Sequence, residues 1–305
     1  MPSATDLILH QYDVSPFSEK ARIMLGLKGL DWFACNQSVI MPKPELIALT
    51  GGYRQIPVLQ IGADIFCGTE LIADELETRF PAPSLYPKSG AGLGRALSYW
   101  TDETLFRLVV ELVFGSGDFK VDDDFLEDRS RLIRGRFDIA AMAAAFDANV
   151  GRLRAHLELV ERQLADGRRY LLGDVADMAD INLYHVVDFM TLGRGKIAKV
   201  VGDFAGVLAW QARVAAIGHG RRQETSRQSA LAAALGAKPS SIPASTYRDG
   251  PQPGDKVRFV CGAASSSDVE GELVQTHARR IAILRSAPEV GEVVTHLPRD
   301  AGWFA

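Results

Sequence analysis

The sequence predicts an α+β protein built from three parts, because its hydrophobic pattern changes twice along the chain. Strand-like and helix-like segments alternate over residues 1–85, and the region 92–235 has the three-and-four spacing of amphipathic helices. Short strand-like runs fill residues 246–305. Stretches rich in proline, glycine and serine separate the parts. We expect the last part, a small β-barrel-like unit of about 60 residues, to dock on its neighbour for stability.

The first part reads β-α-β followed by β-β-α. Gly29 ends the first helical pattern, and two β-rich runs flank Gly62, which predicts a hairpin. Between the second strand and this hairpin the sequence predicts a loop, since Pro42, Pro44 and a glycine pair interrupt the pattern. The first five elements are expected at Leu7–Leu9, Pro16–Gly29, Trp32–Val39, Pro57–Gln60 and Asp64–Cys67. A closing helix is expected to start at Gly68-Thr69, with its apolar face marked by Ile72, Leu76 and Phe80.

The second part is predicted to be helical throughout, and the third to contain four strands. Residues 150–164 place apolar side chains on one helix face and charged ones on the other. Asp177 and Asp180 supply an N-cap acceptor and an acidic third position, so a helix should begin there. The strand-like runs of the third part are Lys256–Cys261, Val269–Thr276, Arg280–Leu284 and Gly291–Leu297.

Composition and charge exclude several classes of protein. The net charge of -4, with 34 basic and 38 acidic side chains, argues against a protein that coats nucleic acid or an anionic membrane. In the third part, too, acidic and basic side chains nearly balance. The three cysteines are widely spaced and form no metal-binding motif. With no leader-like start and no apolar run of about 18 residues, we expect a soluble cytoplasmic protein without a metal site.

The tetrapeptide Ser15-Pro16-Phe17-Ser18 carries the first functional signal, because it joins the first strand to the first helix. A thioredoxin-like fold has Cys-Pro-x-Cys at this place, and here hydroxyls replace both sulfurs, which excludes dithiol exchange. A hydroxyl at a helix N-terminus can instead donate a hydrogen bond to an anion such as a thiolate. Alternatively, Ser15 and Pro16 only cap the helix, and Ser18 lies on its exposed surface.

Four segments in fixed order resemble cytosolic glutathione transferases, of the serine-using kind found in theta-, zeta- and related bacterial branches. They read SPFSEKARIMLGLKGL, MPKPELIALTGGYRQIPVL, ADIFCGTELIADELETRF and GDVADMADINL. The resemblance covers about residues 6–235 and leaves the third part unexplained. It implies a thioredoxin-like domain, an all-helical domain and a homodimer.

The resemblance also assigns roles to individual residues. Ser15 would stabilise the thiolate of glutathione, and Ile56, before a cis-Pro57, would offer its backbone to the cysteinyl part. Thr69 would hold the γ-glutamyl carboxylate; on its own, this residue reads as an N-cap. The family usually has Glu or Asp just before it, accepting from the γ-glutamyl ammonium, and here that position is Gly68. Losing this partner removes about 1.5 to 3 kcal/mol of binding, for which Glu70 is a candidate replacement.

These observations predict a glutathione transferase without a cofactor, in which the thiolate of the co-substrate glutathione attacks a small electrophile. Tyr99, Trp100 and Phe106, on the first helix after the linker, are candidates for the electrophile pocket, although aromatic residues at such spacing also fill cores. Neither nucleic acid nor a membrane is an expected partner. The alternative is a catalytically silent protein of the same fold that binds another protein through its C-terminal β unit.

Overall fold

The structure is a computed structural model that describes residues 2–133, 135–192, 195–242, 247, 249–262 and 267–305. Residues 1 and 246, at which the first and third parts were expected to begin, lie outside this range.

The N-terminal unit is a four-stranded sheet with helices on both faces, and its strands and the helices α1 and α3 follow the predicted β-α-β, β-β-α order. Its elements are β1 (Leu7–Gln11), α1 (Pro16–Leu27), β2 (Asp31–Asn36), α2 (Pro44–Thr50), β3 (Val58–Ile61), β4 (Asp64–Cys67) and α3 (Thr69–Arg79). β1 pairs in parallel with β2 and antiparallel with β3, which pairs antiparallel with β4. Leu7 and Leu9 pack on the face that carries α1 and α3, whereas Ile8 points to the other face. The unit is thioredoxin-like.

Two segments of this unit differ from the prediction by more than two residues. The expected loop contains the short helix α2, because Pro44 suits the first helical position and Gly51 ends the helix in the left-handed conformation, with φ 78°. β2 ends at Asn36, three residues before the expected end at Val39.

The second unit is an all-helical bundle. Its helices are α4 (Gly90–Ser98), a π-helical segment (Tyr99–Leu105), α5 (Phe106–Gly115), α6 (Asp123–Ile133), α7 (Ile139–Ala144), α8 (Phe146–Leu164), α9 (Met178–Thr191), α10 (Lys196–Gly202) and α11 (Ala205–Ala215). The predicted start of α9 is confirmed, since Asp177 and Asp180 form a capping box. Asp180 Oδ1 also accepts from Trp210 Nε1 on α11 at 2.7 Å, which fastens the two helices together.

The helical prediction is wrong for one segment near the end of this region. β5 (Arg221–Thr225) is a strand that pairs in parallel with β2. No apolar side chain marks it, so the backbone hydrogen bonds to β2 decide its conformation. α12 (Arg227–Leu235) follows and places Ala230 and Ala233 against Ile8 of the sheet.

The C-terminal unit has the four predicted strands, but they do not close into a separate barrel. Its strands are β6 (Lys256–Val260), β7 (Val269–Thr276), β8 (Arg280–Ala287), β9 (Gly291–Pro298) and the short β10 (Trp303–Phe304). β9 pairs in parallel with β4, and one ten-stranded sheet results, in the order β10-β6-β7-β8-β9-β4-β3-β1-β2-β5. This pairing is favoured because β4 would otherwise be an edge strand with unpaired backbone groups.

Side chains of the C-terminal unit also fasten it to α2. Arg285 Nη1 donates to the carbonyl oxygens of Ala48 and Leu49, both at 3.3 Å. Thr295 Oγ1 donates to the Leu49 carbonyl at 3.3 Å. A single apolar core contains residues of α2, β4, β8 and β9. The unit is therefore an integral part of the fold.

None of the helices in the described part of the chain has the length and hydropathy needed to span a bilayer.

Candidate functional site

Ser15 lies where β1 ends and α1 begins, at one edge of the N-terminal sheet. Its backbone is extended, and its Oγ accepts from the Ser18 backbone N–H at 3.1 Å, so it is the N-cap of α1. The residue is 3% exposed. A serine hydroxyl that accepts one hydrogen bond still has its proton to donate. The capping role and a donor role toward a bound anion are thus compatible.

Ser18 does not lie on the exposed surface that the sequence suggested. It is fully buried, and among the described residues its Oγ has no hydrogen-bond partner. α1 packs against α9 of the helical unit, and most of its residues are buried.

The second predicted feature lies beside the end of β1. The Ile56-Pro57 peptide bond is cis, as the resemblance implied. Val58 is paired with His10 of β1 and with Cys67 of β4, so Pro57 lies between the ends of these two strands. The Gly68 N–H donates to the Pro57 carbonyl at 3.4 Å. Ser15, Pro57 and Gly68 therefore lie at the same edge of the sheet, the one formed by the ends of β1 and β4.

α3 begins at this edge, and its cap differs from the one expected. Gly68 is the N-cap, with φ 85° and ψ 151°, a backbone conformation that only glycine adopts readily. Thr69, expected as the N-cap, is the first helical residue and is 8% exposed. The first backbone N–H groups of a helix have no partner within it, so those of α3 are available to an anion.

A basic cluster that the sequence did not reveal lies next to the Ser15 loop. It consists of Lys43, Arg54 and Arg129 around one carboxylate, Asp128. Lys43 Nζ donates to the Arg54 carbonyl at 3.3 Å and lies 5.8 Å from the centre of the Tyr12 ring. Three cations face one anion here, and the excess is positive.

The electrostatics of this cluster follow from its burial. Burial, together with the charges of Arg129 and Arg54, lowers the pKa of Lys43 to about 8. The Tyr12 carbonyl accepts from the Ser15 N–H at 3.0 Å, which joins the cluster to the Ser15 loop. Sequence reasoning missed the cluster because Arg129 and Asp128 lie on α6, far along the chain from Lys43 and Arg54.

The three aromatic residues expected in the electrophile pocket point in different directions. The Tyr99 hydroxyl donates to Asp300 Oδ2 of the C-terminal unit at 2.8 Å, and the Trp100 ring lies 6.0 Å from that of His156 on α8. Phe106 makes an edge-to-face contact with Phe17, with 4.8 Å between ring centres. Of the three, Phe106 is the one in ring contact with the helix that Ser15 caps.

A buried ion pair holds α1 against the helical unit. Lys20 Nζ lies 2.7 Å from Asp102 Oδ2 in the π-helical segment, and the Lys20 side chain is completely buried. His185 Nε2 on α9 lies 3.5 Å from the other oxygen of Asp102. Burial lowers the pKa of His185 to about 4, so this imidazole is neutral at pH 7. Removing one partner of such a buried pair is generally costly, so the pair fixes the position of α1.

Comparison with known proteins places this arrangement in a family. The family described as "Glutathione S-transferase, N-terminal domain" matches residues 9–84, and its C-terminal domain matches residues 143–213. A GST-like protein from Pseudomonas syringae is 34% identical to the chain, with a TM-score of 0.82, and 99% of each chain is covered. The chain belongs to the glutathione S-transferase superfamily.

Other solved structures match a smaller share of this chain. A glutathione S-transferase from Rhodospirillum rubrum is 23% identical, with a TM-score of 0.54 over 68% of this chain and 87% of its own. A β-etherase from Sphingobium is 18% identical, with a TM-score of 0.53 over 70% of this chain and 96% of its own. These two likenesses concern the fold alone. None of the curated proteins compared with the chain matches it.

Proposed function

We propose that the protein is a serine-type glutathione transferase, in which Ser15 stabilises the thiolate of bound glutathione for attack on a small electrophile. The observation that carries the proposal is the position of Ser15: a buried hydroxyl at the N-terminus of α1, on the sheet edge that also holds cis-Pro57 and the start of α3. A thiolate near the start of α1 receives a hydrogen bond and the partial positive charge of the helix end.

The charges around this edge suit the two carboxylates of glutathione. The start of α3 at Thr69 offers unpaired backbone N–H groups to the γ-glutamyl carboxylate. The excess positive charge of Lys43, Arg54 and Arg129 lies next to the Ser15 loop, where Lys43 approaches the Tyr12 ring, and suits the glycyl carboxylate. The thiol between the two carboxylates would then lie beside Ser15, and Ile56 would offer its backbone to the cysteinyl part.

The chemistry requires a modest shift in the thiol pKa. A free thiol has a pKa near 8.5 and is mostly protonated at pH 7; lowering the pKa by about two units takes roughly 2.7 kcal/mol of preferential thiolate stabilisation. One hydroxyl donor together with a helix dipole can supply that amount. The thiolate then forms a bond to the electrophilic carbon, and the leaving group departs with the bonding electrons. Phe106 and Phe17 offer an apolar wall for the electrophile.

Ser15→Ala tests the proposal directly. We expect conjugation of glutathione to a chlorodinitrobenzene probe to fall by about tenfold or more, and the pKa of the bound thiol, measured by thiolate absorbance, to rise toward 8.5. The loss of the cap should lower the free energy of unfolding by about 1 to 2 kcal/mol, which leaves the protein folded.

Ser18→Ala is the matched control. It removes a buried hydroxyl that has no partner in the described part of the structure, so stability should be equal or slightly higher and the thiol pKa unchanged. Equal activity in wild type and Ser15→Ala would contradict the assigned role.

The alternative is a silent transferase-fold protein that binds another protein through its C-terminal unit. Gly68 favours it, since no carboxylate projects from this position toward the γ-glutamyl ammonium. Calorimetric titration separates the two: no heat with millimolar glutathione and folded protein would eliminate the transferase. A homodimer is part of the proposal on the strength of the family likeness, and sedimentation equilibrium tests it.

A further inference from the structure

The C-terminal unit forms a cavity with the other two units close to the start of α3. Its volume is about 170 Å³, which corresponds to roughly five or six water molecules at about 30 Å³ each. The cavity is lined by Glu70, Leu71, Arg95, Tyr99, Ala278, Arg279, Pro298 and Asp300. A group of several non-hydrogen atoms fits this space.

The charges at the cavity leave one carboxylate without a cation. Arg95 pairs with Glu70 at 2.9 Å and with Asp74, and Arg279 lies 3.5 Å from Asp74. Asp300 accepts from the Tyr99 hydroxyl, and no ion pair joins it to any described residue. Both guanidinium groups of the lining are thus already paired with Glu70 or Asp74, whereas Asp300 has no cationic partner among the described residues, so the cavity suits a ligand that brings a positive charge to Asp300.

Strand pairing brings Asp300 to the edge of the sheet at which Ser15, Pro57 and Gly68 lie. β9 runs parallel to β4, with His296 opposite Phe66, so both strands end at the same edge of the sheet. A Cβ on Gly68 would lie 3.4 Å from Pro298 Cγ, and Asp300 follows two residues later. The C-terminal unit thus places a carboxylate in the cavity that Glu70 and Leu71 also line, and these two residues follow shortly after Gly68, the position at which the N-terminal unit has none.

The neighbouring residues of α3 cannot supply the missing charge. Gly68 has a backbone conformation in which other residues are strained. Glu70, the replacement suggested by the sequence, is already engaged by Arg95 and by the Ser98 hydroxyl, which donates to it at 2.6 Å. Asp300 has one oxygen held by Tyr99 and the other available.

We infer that Asp300 of the C-terminal unit accepts the γ-glutamyl ammonium of glutathione and thereby completes the substrate site from outside the two transferase domains. This inference rests on the proposed function. Tyr99 acts as a positioning residue, since its hydroxyl holds the Asp300 carboxylate toward the cavity. The hydrogen bond to Asp300 raises the pKa of Tyr99 to about 12, so the phenol keeps the proton that it donates.

Calorimetric titration with two ligands tests the inference. The ligands are glutathione and its desamino analogue, in which hydrogen replaces the ammonium group. Asp300→Asn keeps the shape and the hydrogen bond from Tyr99 but removes the charge. We expect it to weaken glutathione binding by about ten- to a hundredfold and to leave binding of the analogue unchanged. Tyr99→Phe, which keeps the charge, should weaken glutathione binding only a few fold.

Glu292→Gln is the matched control, because Glu292 is an exposed carboxylate at the opposite end of β9. It should bind both ligands as wild type does. If wild type binds neither ligand, the proposed function and the inference both fail. If Asp300→Asn binds glutathione as tightly as wild type does, or loses both ligands equally while folded, the inference alone is overturned.

Discussion

Each outer strand of the N-terminal sheet pairs in parallel with a strand from later in the chain, but the two added strands differ in how deeply they are buried. β9 covers β4 with a row of buried side chains, and all four residues of β4 are buried. β5 covers β2 with five residues, none of which is buried. An outer strand without a partner would expose unpaired backbone groups, so β9 and β5 both supply hydrogen-bond partners to the backbone of an outer strand. At the exposed edge, however, water can replace a lost hydrogen bond, and at the buried edge it cannot.

The side chains at the two edges differ in the same way. Asp64 and His296 lie 3.5 Å apart inside the β4–β9 edge, where Asp64 also accepts from the Ser240 N–H at 3.0 Å. The β2–β5 edge has surface ion pairs, among them Arg221 with Asp31. Exposed ion pairs contribute little to stability. We therefore expect the buried edge to dominate the free energy of unfolding.

The largest expected effect on the free energy of unfolding is that of a proline in β9, compared with a proline in β5. The Val294 N–H donates to the Ala63 carbonyl at 2.9 Å, and the Arg221 N–H donates to the Leu30 carbonyl at 2.8 Å. Val294→Pro should lower the free energy of unfolding by about 1 to 3 kcal/mol for the unpaired buried carbonyl alone, and by more through lost packing. Arg221→Pro should have a much smaller effect, because water reaches that edge. Urea denaturation measures both changes.

Val294→Ala is the control for the side chain, since it truncates the valine but keeps the N–H. The difference between the proline and alanine variants isolates the backbone bond. Equal losses in Val294→Pro and Arg221→Pro would contradict the importance of burial.

The two covering strands also differ in how well the sequence predicts them. β9 contains β-branched and apolar residues, which favour a strand, and its predicted range differs from the observed one by a single residue. β5 reads RRQET and has no apolar residue, so no local pattern distinguishes it from the helices around it. The pairing of β9 with β4 was not predicted either, because a parallel partner is chosen by the tertiary structure. This explains why a small barrel-like unit docked on its neighbour was expected instead of a continuous sheet.

The two edges should also differ in how their contribution to stability depends on pH. Burial lowers the pKa of His296 below 6.5, so below pH 6.5 the unfolded chain binds a proton that the folded chain holds less tightly. The stability from this group is present above pH 6.5 and is lost as the pH falls toward the folded pKa. At the exposed edge, the hydrogen bond from Arg221 lowers the pKa of Asp31 below 3.8. Its contribution is lost only below about pH 4.

His296→Gln provides the measurement for this difference. The stability advantage of wild type over the variant should shrink as the pH falls from 7.5 to 5, measured by urea denaturation at each pH. All other residues are identical in the two proteins, so their contributions to the difference cancel. His277→Gln, in the turn after β7, serves as the baseline. A difference between wild type and His296→Gln that stays constant over this range would show that His296 does not link the buried edge to pH.

The candidate site was predictable where its residues follow local rules. Ser15 and Thr69 lie at helix starts, and Pro57 precedes a strand, so motif order was sufficient to single them out. Lys43 and Asp300, which we propose as further parts of the site, were not predictable, because their contacts with Tyr12 and Tyr99 arise only in the folded structure. The exposure of Ser18 was misjudged because its burial depends on tertiary packing, which the local sequence does not reveal.

The smallest expected effect is that of Arg221→Gln at the exposed edge. This change removes the ion pair with Asp31 but keeps the backbone N–H that donates to the Leu30 carbonyl. Salt screens exposed charges, and holding two long side chains together costs conformational entropy. The unfolding midpoint should therefore equal that of wild type within error, and β2 amides should keep their protection from hydrogen exchange. If Arg221→Gln lost as much stability as Arg221→Pro, side-chain charge rather than backbone pairing would hold β5 against β2.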